Sequence, residues 1–171
     1  DPRGMGSSDP IAPVEGRLAE SVVDDMIGVI DDLGCERVVL LDGAFGAPAM
    51  QFAATHPERT HALVLINPSA RLRRADDYPE GYADEELEAV LATRRDRWGT
   101  GELLAQFNPS AAGDARFARW LARCERVSMS PQDAAWRLRA GIDADVRHLL
   151  GAIRVPTLVV VCPDGPGGSG G

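Results

Sequence analysis

Few residues in this chain have side chains suited to covalent or metal chemistry, and their spacing decides which of them can act together. The histidines are His56, His61 and His148, and the cysteines are Cys35, Cys124 and Cys162. The cysteines are far apart, no CxxC occurs, and the histidines complete no ligand set with them. The spacing therefore points to no metal and to no cofactor. Nucleophilic catalysis is a separate possibility, and it needs a nucleophile, a base, an acid to orient the base, and donors for an oxyanion. One stretch has the shape for it. In RVVLLDGAFGAPAM, Arg37 to Met50, an apolar run meets a turn rich in glycine and alanine, and a helical pattern leaves it. A strand–turn–helix of this kind holds one side chain out on a strained backbone, with small residues where strand and helix approach closely. The turn contains no serine.

The elements that must position such a turn can be read from the periodicity. Residues 1–16 are rich in Gly, Pro, Ser and Asp and read as loop. Leu18, Val22, Met26, Val29, Ile30 and Leu33 recur at spacings of three and four, which predicts a helix over 17–33 closed by Gly34. RVVLL (37–41) and HALVLIN (61–67) are short continuous apolar runs of strand length, separated by a helix from about Gly46 to His56 that Pro57 stops. Alternation of such strands with helices predicts a parallel sheet covered on both faces. Residues 69–151 then read as helices and loops, and RVPTLVVVC (154–162) returns to strand. The glycine-rich end, 165–171, is low in complexity and is expected to be disordered.

Composition bounds the partners. The net charge of −8 and pI near 4.8 argue against a nucleic-acid surface, and RLRR (71–74) is too short for a basic patch. All of the basic residues are Arg. No apolar run approaches the roughly 18 residues of a membrane helix. No signal peptide is visible, and separated cysteines suit a reducing cytoplasm. The chain opens without Met and reads as a fragment.

Several motifs, in order, resemble those of the α/β-hydrolases. DPRGMGSSD (1–9) resembles the loop after the fourth strand of that fold, and ERVVLLDGAFGAP its fifth strand and nucleophile elbow. FAATHPERTHALVLIN resembles the helix after the elbow and the sixth strand, and IRVPTLVVVCPD the seventh strand. Within the intervening stretch, Trp98 to Gly101 (WGTG) and the W-x-A-R-x-E-R run are similar to the hydrolase-like domains found beside or fused to adenylate/guanylate cyclases in actinobacteria. The resemblance spans residues 1 to about 164. It implies a partial α/β-hydrolase fold in which parallel strands with flanking helices carry a helical lid insertion at about 69–151. It also implies a small apolar or ester ligand, and a cyclase domain as partner.

The same resemblance assigns the site. Counted from ERVVLL and from Pro48, the G-x-S-x-G pattern falls on Asp42, Gly43, Ala44, Phe45 and Gly46. Ala44 then stands at the nucleophile position, where it cannot attack a carbonyl; a shift by one residue would put Phe45 there instead. Asp42 replaces the motif's first glycine and lies two residues early to serve as nucleophile. The backbone N–H of Phe45 is the implied oxyanion donor, and Asp164 stands where the family places its acid. No histidine follows Cys162 to act as base. His56, His61 and His148 read as structural or surface residues, Trp98, Trp120 and Trp136 as packing within helices of the insertion, and DEELE (84–88) as a solvated helix start. Three functions fit: a serine hydrolase by lineage that is inactive as it stands, a ligand-binding regulatory module, or a non-functional remnant.

Overall fold

The computed structural model describes residues 1–9, 18–43 and 46–161. The chain divides into two units, Glu15–Leu72 with Asp143–Gly171, and Asp1–Val14 with Arg73–Ile142.

The first unit is built on three strands, β1 (Val38–Asp42), β2 (Thr60–Ile66) and β3 (Thr157–Val160), in the order β1-β2-β3 and all parallel. Register places Leu40 beside Leu63, and Leu65 beside Val159. Leu40, Leu63 and Leu65 therefore point to one face, because side chains alternate along a strand. That face packs on helices α1 (Leu18–Asp32) and α2 (Ala47–Thr55), and the core holds Val23, Ile30, Met50, Phe52, Ala53 and Val146 beside the strand leucines. The helical turn Arg147–Ala152 packs on α2 from outside the sheet order.

The structure sets the inward stripe of α1 and corrects one expectation about the sheet. The inward stripe of α1 runs through Val23, Met26, Ile27 and Ile30, whereas Val29 and Leu33 are exposed. Apolar residues at helical spacing were available on two neighbouring stripes, and the one centred over the sheet is the one buried. The sheet is also not covered on both faces by the described residues. Val39 and Leu41 of β1, and Leu158 of β3, stand on the face opposite the core and are 57%, 70% and 58% exposed.

Local chemistry ends the elements where they end. Past α1, Gly34 adopts φ 65° and donates to Asp31 O, while Cys35 N–H reaches back to Ile30 O at 3.0 Å. This pairing satisfies the last carbonyls of α1 and needs a residue free to adopt positive φ. At the start of β2, Thr60 is fully buried, and its hydroxyl donates to His56 O at 3.0 Å.

The second unit is helical: α3 (Asp84–Arg97), α4 (Leu104–Phe107), α5 (Ala115–Ser128) and α6 (Pro131–Asp143). Acidic residues open α3 and Arg94, Arg95 and Arg97 close it, each set matching the helix dipole. Asp114 caps α5 by accepting from Arg116 N–H at 2.8 Å and Phe117 N–H at 3.1 Å. Leu87, Leu91, Leu103, Leu104, Ala122, Ala134 and Ile142 are its buried apolar residues. The 1–9 loop belongs to this unit, with Gly6 N–H donating to Ser128 O at 2.7 Å.

The WGTG segment is a joint between α3 and α5. Trp98 is the residue after α3, not within a helix as predicted, and its indole N–H donates to the carbonyls of Glu125 and Met129 at 3.0 and 3.1 Å. Glu125 is buried, and its carboxylate accepts from Gly99 N–H at 2.9 Å. The Arg94 guanidinium lies over the Trp98 ring at 5.6 Å. Burial pulls Arg94 below its ordinary pKa, and the charge of Glu125 opposes that shift.

Candidate active-site region at the C-terminal edge of the sheet

All three strands are parallel, so Asp42, Ile66 and Val160 end on one edge. In open parallel sheets chemistry gathers at that edge. The turn from β1 to α2 has the geometry expected of an elbow on its described flanks. Gly46 adopts φ 80° and ψ −2°, its carbonyl accepts the first helical bond from Met50 N–H at 2.9 Å, and Pro48 sits in the first turn. A Cβ at Gly46 would stand 3.1 Å from Leu65 Cδ2 and 3.5 Å from Pro68 Cβ. Strand and helix approach too closely there, at too unusual a φ, for a larger residue. Ala44, Phe45 and Asp164, the predicted nucleophile position, oxyanion donor and acid, lie outside the described residues.

Next along the edge is Asn67, at φ 46°, whose N–H donates to Val160 O at 2.8 Å. The sequence reading missed it; the signal was the Asn-Pro dipeptide closing a strand. Ser69 offers a hydroxyl, but it donates to Arg71 O at 2.6 Å.

Two of the described histidines are elsewhere. His56 closes α2, about 15 Å along the helix from Gly46. Its ring packs on Phe52 at 5.1 Å and its Nδ1 is 2.8 Å from Thr55 Oγ1. His61 is the second residue of β2, at the N-terminal side of its strand, His148 lies in the helical turn Arg147–Ala152, and both are exposed. Among the described residues, neither His56 nor His61 stands at the C-terminal edge. There also, no three His, Cys, Asp or Glu side chains converge as a metal site would require.

Just beyond this edge, an ionic cluster ties the two segments that flank the helical unit. Asp145 accepts from Arg71 at 2.5 Å and from Arg147 Nε and Nη2 at 2.9 and 2.8 Å, and Val146 N–H donates to Ala70 O at 2.9 Å. The Arg147 hydrogen bonds, followed by those of Arg71, hold the Asp145 carboxyl well below the usual carboxylate range, against the desolvation that would raise it. A depressed folded pKa adds stability that is complete above the unfolded value, near 3.9, and is lost as pH falls toward the folded one. Asp145→Asn should cost about 1–2 kcal/mol at pH 7, the range for charged hydrogen bonds partly open to solvent. In melts at stepped pH the gap between wild type and variant should hold down to about pH 5 and shrink below about pH 4. A gap independent of pH would show that the carboxylate's charge contributes nothing.

The helical unit has a cleft of about 300 Å³ lined by the 1–9 loop, the end of α5 and the start of α6. Its polar groups are largely engaged within the unit: Arg126 donates to Gly99 O, Arg137 to Arg3 O, and Ser130 Oγ to Asp133 at 2.6 Å.

No protein-family model matches the chain. It is 37% identical over 123 residues to the pimeloyl-[acyl-carrier protein] methyl ester esterase of Neisseria meningitidis, covering 67% of this chain and 46% of that one. It is 28% identical over 148 residues to the strigolactone esterase D14 of Arabidopsis thaliana, covering 81% of this chain and 52% of that one. Among solved structures, an esterase from Exiguobacterium antarcticum superimposes with a TM-score of 0.73 at 27% identity, over 93% of this chain and 60% of that one. The chain thus spans about half the length of these curated relatives. It has a partial α/β-hydrolase fold, of the hydrolase and esterase lineage. No helix among the described residues is long and apolar enough to cross a membrane.

Proposed function

We propose that this chain is an α/β-hydrolase domain of esterase descent that lacks hydrolytic activity as it stands. The observation that supports this most is the elbow register, which puts Ala44, a residue with no nucleophilic atom, at the nucleophile position. The attacking atom is then missing. Removing the nucleophile alone already costs most of the rate of a serine hydrolase. Purified chain should hydrolyse p-nitrophenyl esters no faster than a heat-denatured control, and Ala44→Ser should stay at that background. Turnover by the Ala44→Ser variant would mean that a base reaches the elbow after all.

The ordered interior of the helical unit favours a retained binding role over a decayed copy. Its buried leucines and its capped helices are features that drift would erode. The named relatives are esterases, so the ligand class to test is a small apolar ester. In this reading the domain belongs to an actinobacterial cyclase signalling protein in the cytoplasm and biases an attached cyclase domain, which requires different ligand affinity in two states. A reading frame that continues into a cyclase domain is the expected result; a frame with no cyclase within or beside it removes this role.

A further inference from the structure

We propose that Ala70–Arg71 and Asp145–Val146 form a clasp across the neck of the helical unit, closed by the Arg71–Asp145 pair. Within the described residues the chain passes between the units at Leu72–Arg73 and at Ile142–Asp143. The clasp lies immediately on the sheet side of both passages. Its backbone part is small: an antiparallel bridge of Arg71 with Asp145, and the bond from Val146 N–H to Ala70 O at 2.9 Å. So short a ladder is not stable alone.

Two further features hold it. Val146 and Leu72 are buried, which anchors each side of the neck in apolar packing. The Asp145 carboxylate then joins the sides, with Oδ2 taking Arg71 Nη1 at 2.5 Å across the neck. Arg147 contacts the same carboxylate from two residues away, through Nε, Nη2 and its own N–H. Arg147 therefore orients the carboxylate, and Arg71 is the group that closes the clasp. Losing the cross-neck pair frees the ends of the insertion while the pairing of β1 with β2 stays, which is a local opening and not a global one.

Hydrogen exchange separates the two. In Arg71→Gln, the Val146 amide and the segments 70–74 and 143–147 should exchange at least about tenfold faster than in wild type, with the Leu63 and Leu65 amides of β2 within about twofold. Asp145→Asn should do the same. Arg147→Gln, which leaves the cross-neck pair in place, should change the Val146 amide by less than about threefold. Equal acceleration of the Val146 and β2 amides would overturn the clasp, because Arg71 would then stabilise the whole sheet unit. An unchanged Val146 amide in Arg71→Gln would overturn it too, and so would an Arg147→Gln effect as large as that of Arg71→Gln.

Discussion

Phe52→Ala should destabilise the sheet unit by about 3–5 kcal/mol, the range for emptying a buried aromatic site. Phe52 is completely buried on α2, in the layer that covers Leu40, Leu63 and Leu65. Its neighbours Ala49 and Ala53 are buried small residues and cannot swing in to fill the void. The ring of His56 would also lose the face it packs on. In a protein of this size the loss corresponds to a fall in Tm of roughly 10 °C, read by circular dichroism. Leu41→Ala is the matched control. Leu41 is 70% exposed on the opposite face, so its truncation should move stability by no more than about 0.5 kcal/mol. A large Leu41→Ala effect would show that something covers that face, and a small Phe52→Ala effect would show that α2 does not bear the core.

Gly101→Ala should be nearly as damaging to the helical unit, at about 2–4 kcal/mol. Gly101 has φ 83°, which already disfavours alanine. The added Cβ would also stand 2.2 Å from the carbonyl oxygen of Ala118 and 2.9 Å from its carbon. Those are backbone atoms in the first turn of α5, so relief requires moving a helix and not merely turning a side chain. Gly113→Ala tests the argument from the other side, since a Cβ there meets nothing within 4 Å. Denaturant midpoints should drop sharply for the first variant and barely move for the second. Equal midpoints would dismiss the close approach of the WGTG turn to α5.

The parts of this architecture that were legible in the sequence are those set by local rules. Gly34 closing α1, Pro57 closing α2, and the apolar runs of β1 and β2 needed only neighbours in the chain. The inward stripe of α1 is not legible, because Val29 and Leu33 are as apolar as Val23 and Ile30, and only the sheet decides between them. The uncovered face was invisible for a related reason: VVLL and TLVV look the same whether one side or both are packed. Glu125 reads as a solvated charge in ARCERV, yet it is buried because Gly99 N–H and Trp98 come to it from beyond α3. Asp145 likewise has no local signature, since its partner Arg71 lies on the other side of the insertion. At the site, the glycine and proline pattern predicted the flanks of the elbow, Gly46 and Pro48, while Asn67 passed unremarked at a strand end. Ala44, Phe45 and Asp164 lie outside the described residues, so their roles continue to stand on sequence register.

The parallel pairing of β2 with β3 has a consequence for the order of folding. β2 ends at Ile66 and its partner begins at Thr157, with α3 to α6 threaded between them. Contacts so distant in sequence are slow to form, because the chain between them must be gathered first. Collapse of α3 to α6 shortens that span before β3 arrives. On the ribosome α1, β1, α2 and β2 emerge early, and one edge of β2 waits unpaired until Thr157–Val160 follows. The helical unit thus sets the timing of sheet completion, and a mutation confined to it, such as Gly101→Ala, would slow assembly of a sheet that it does not alter.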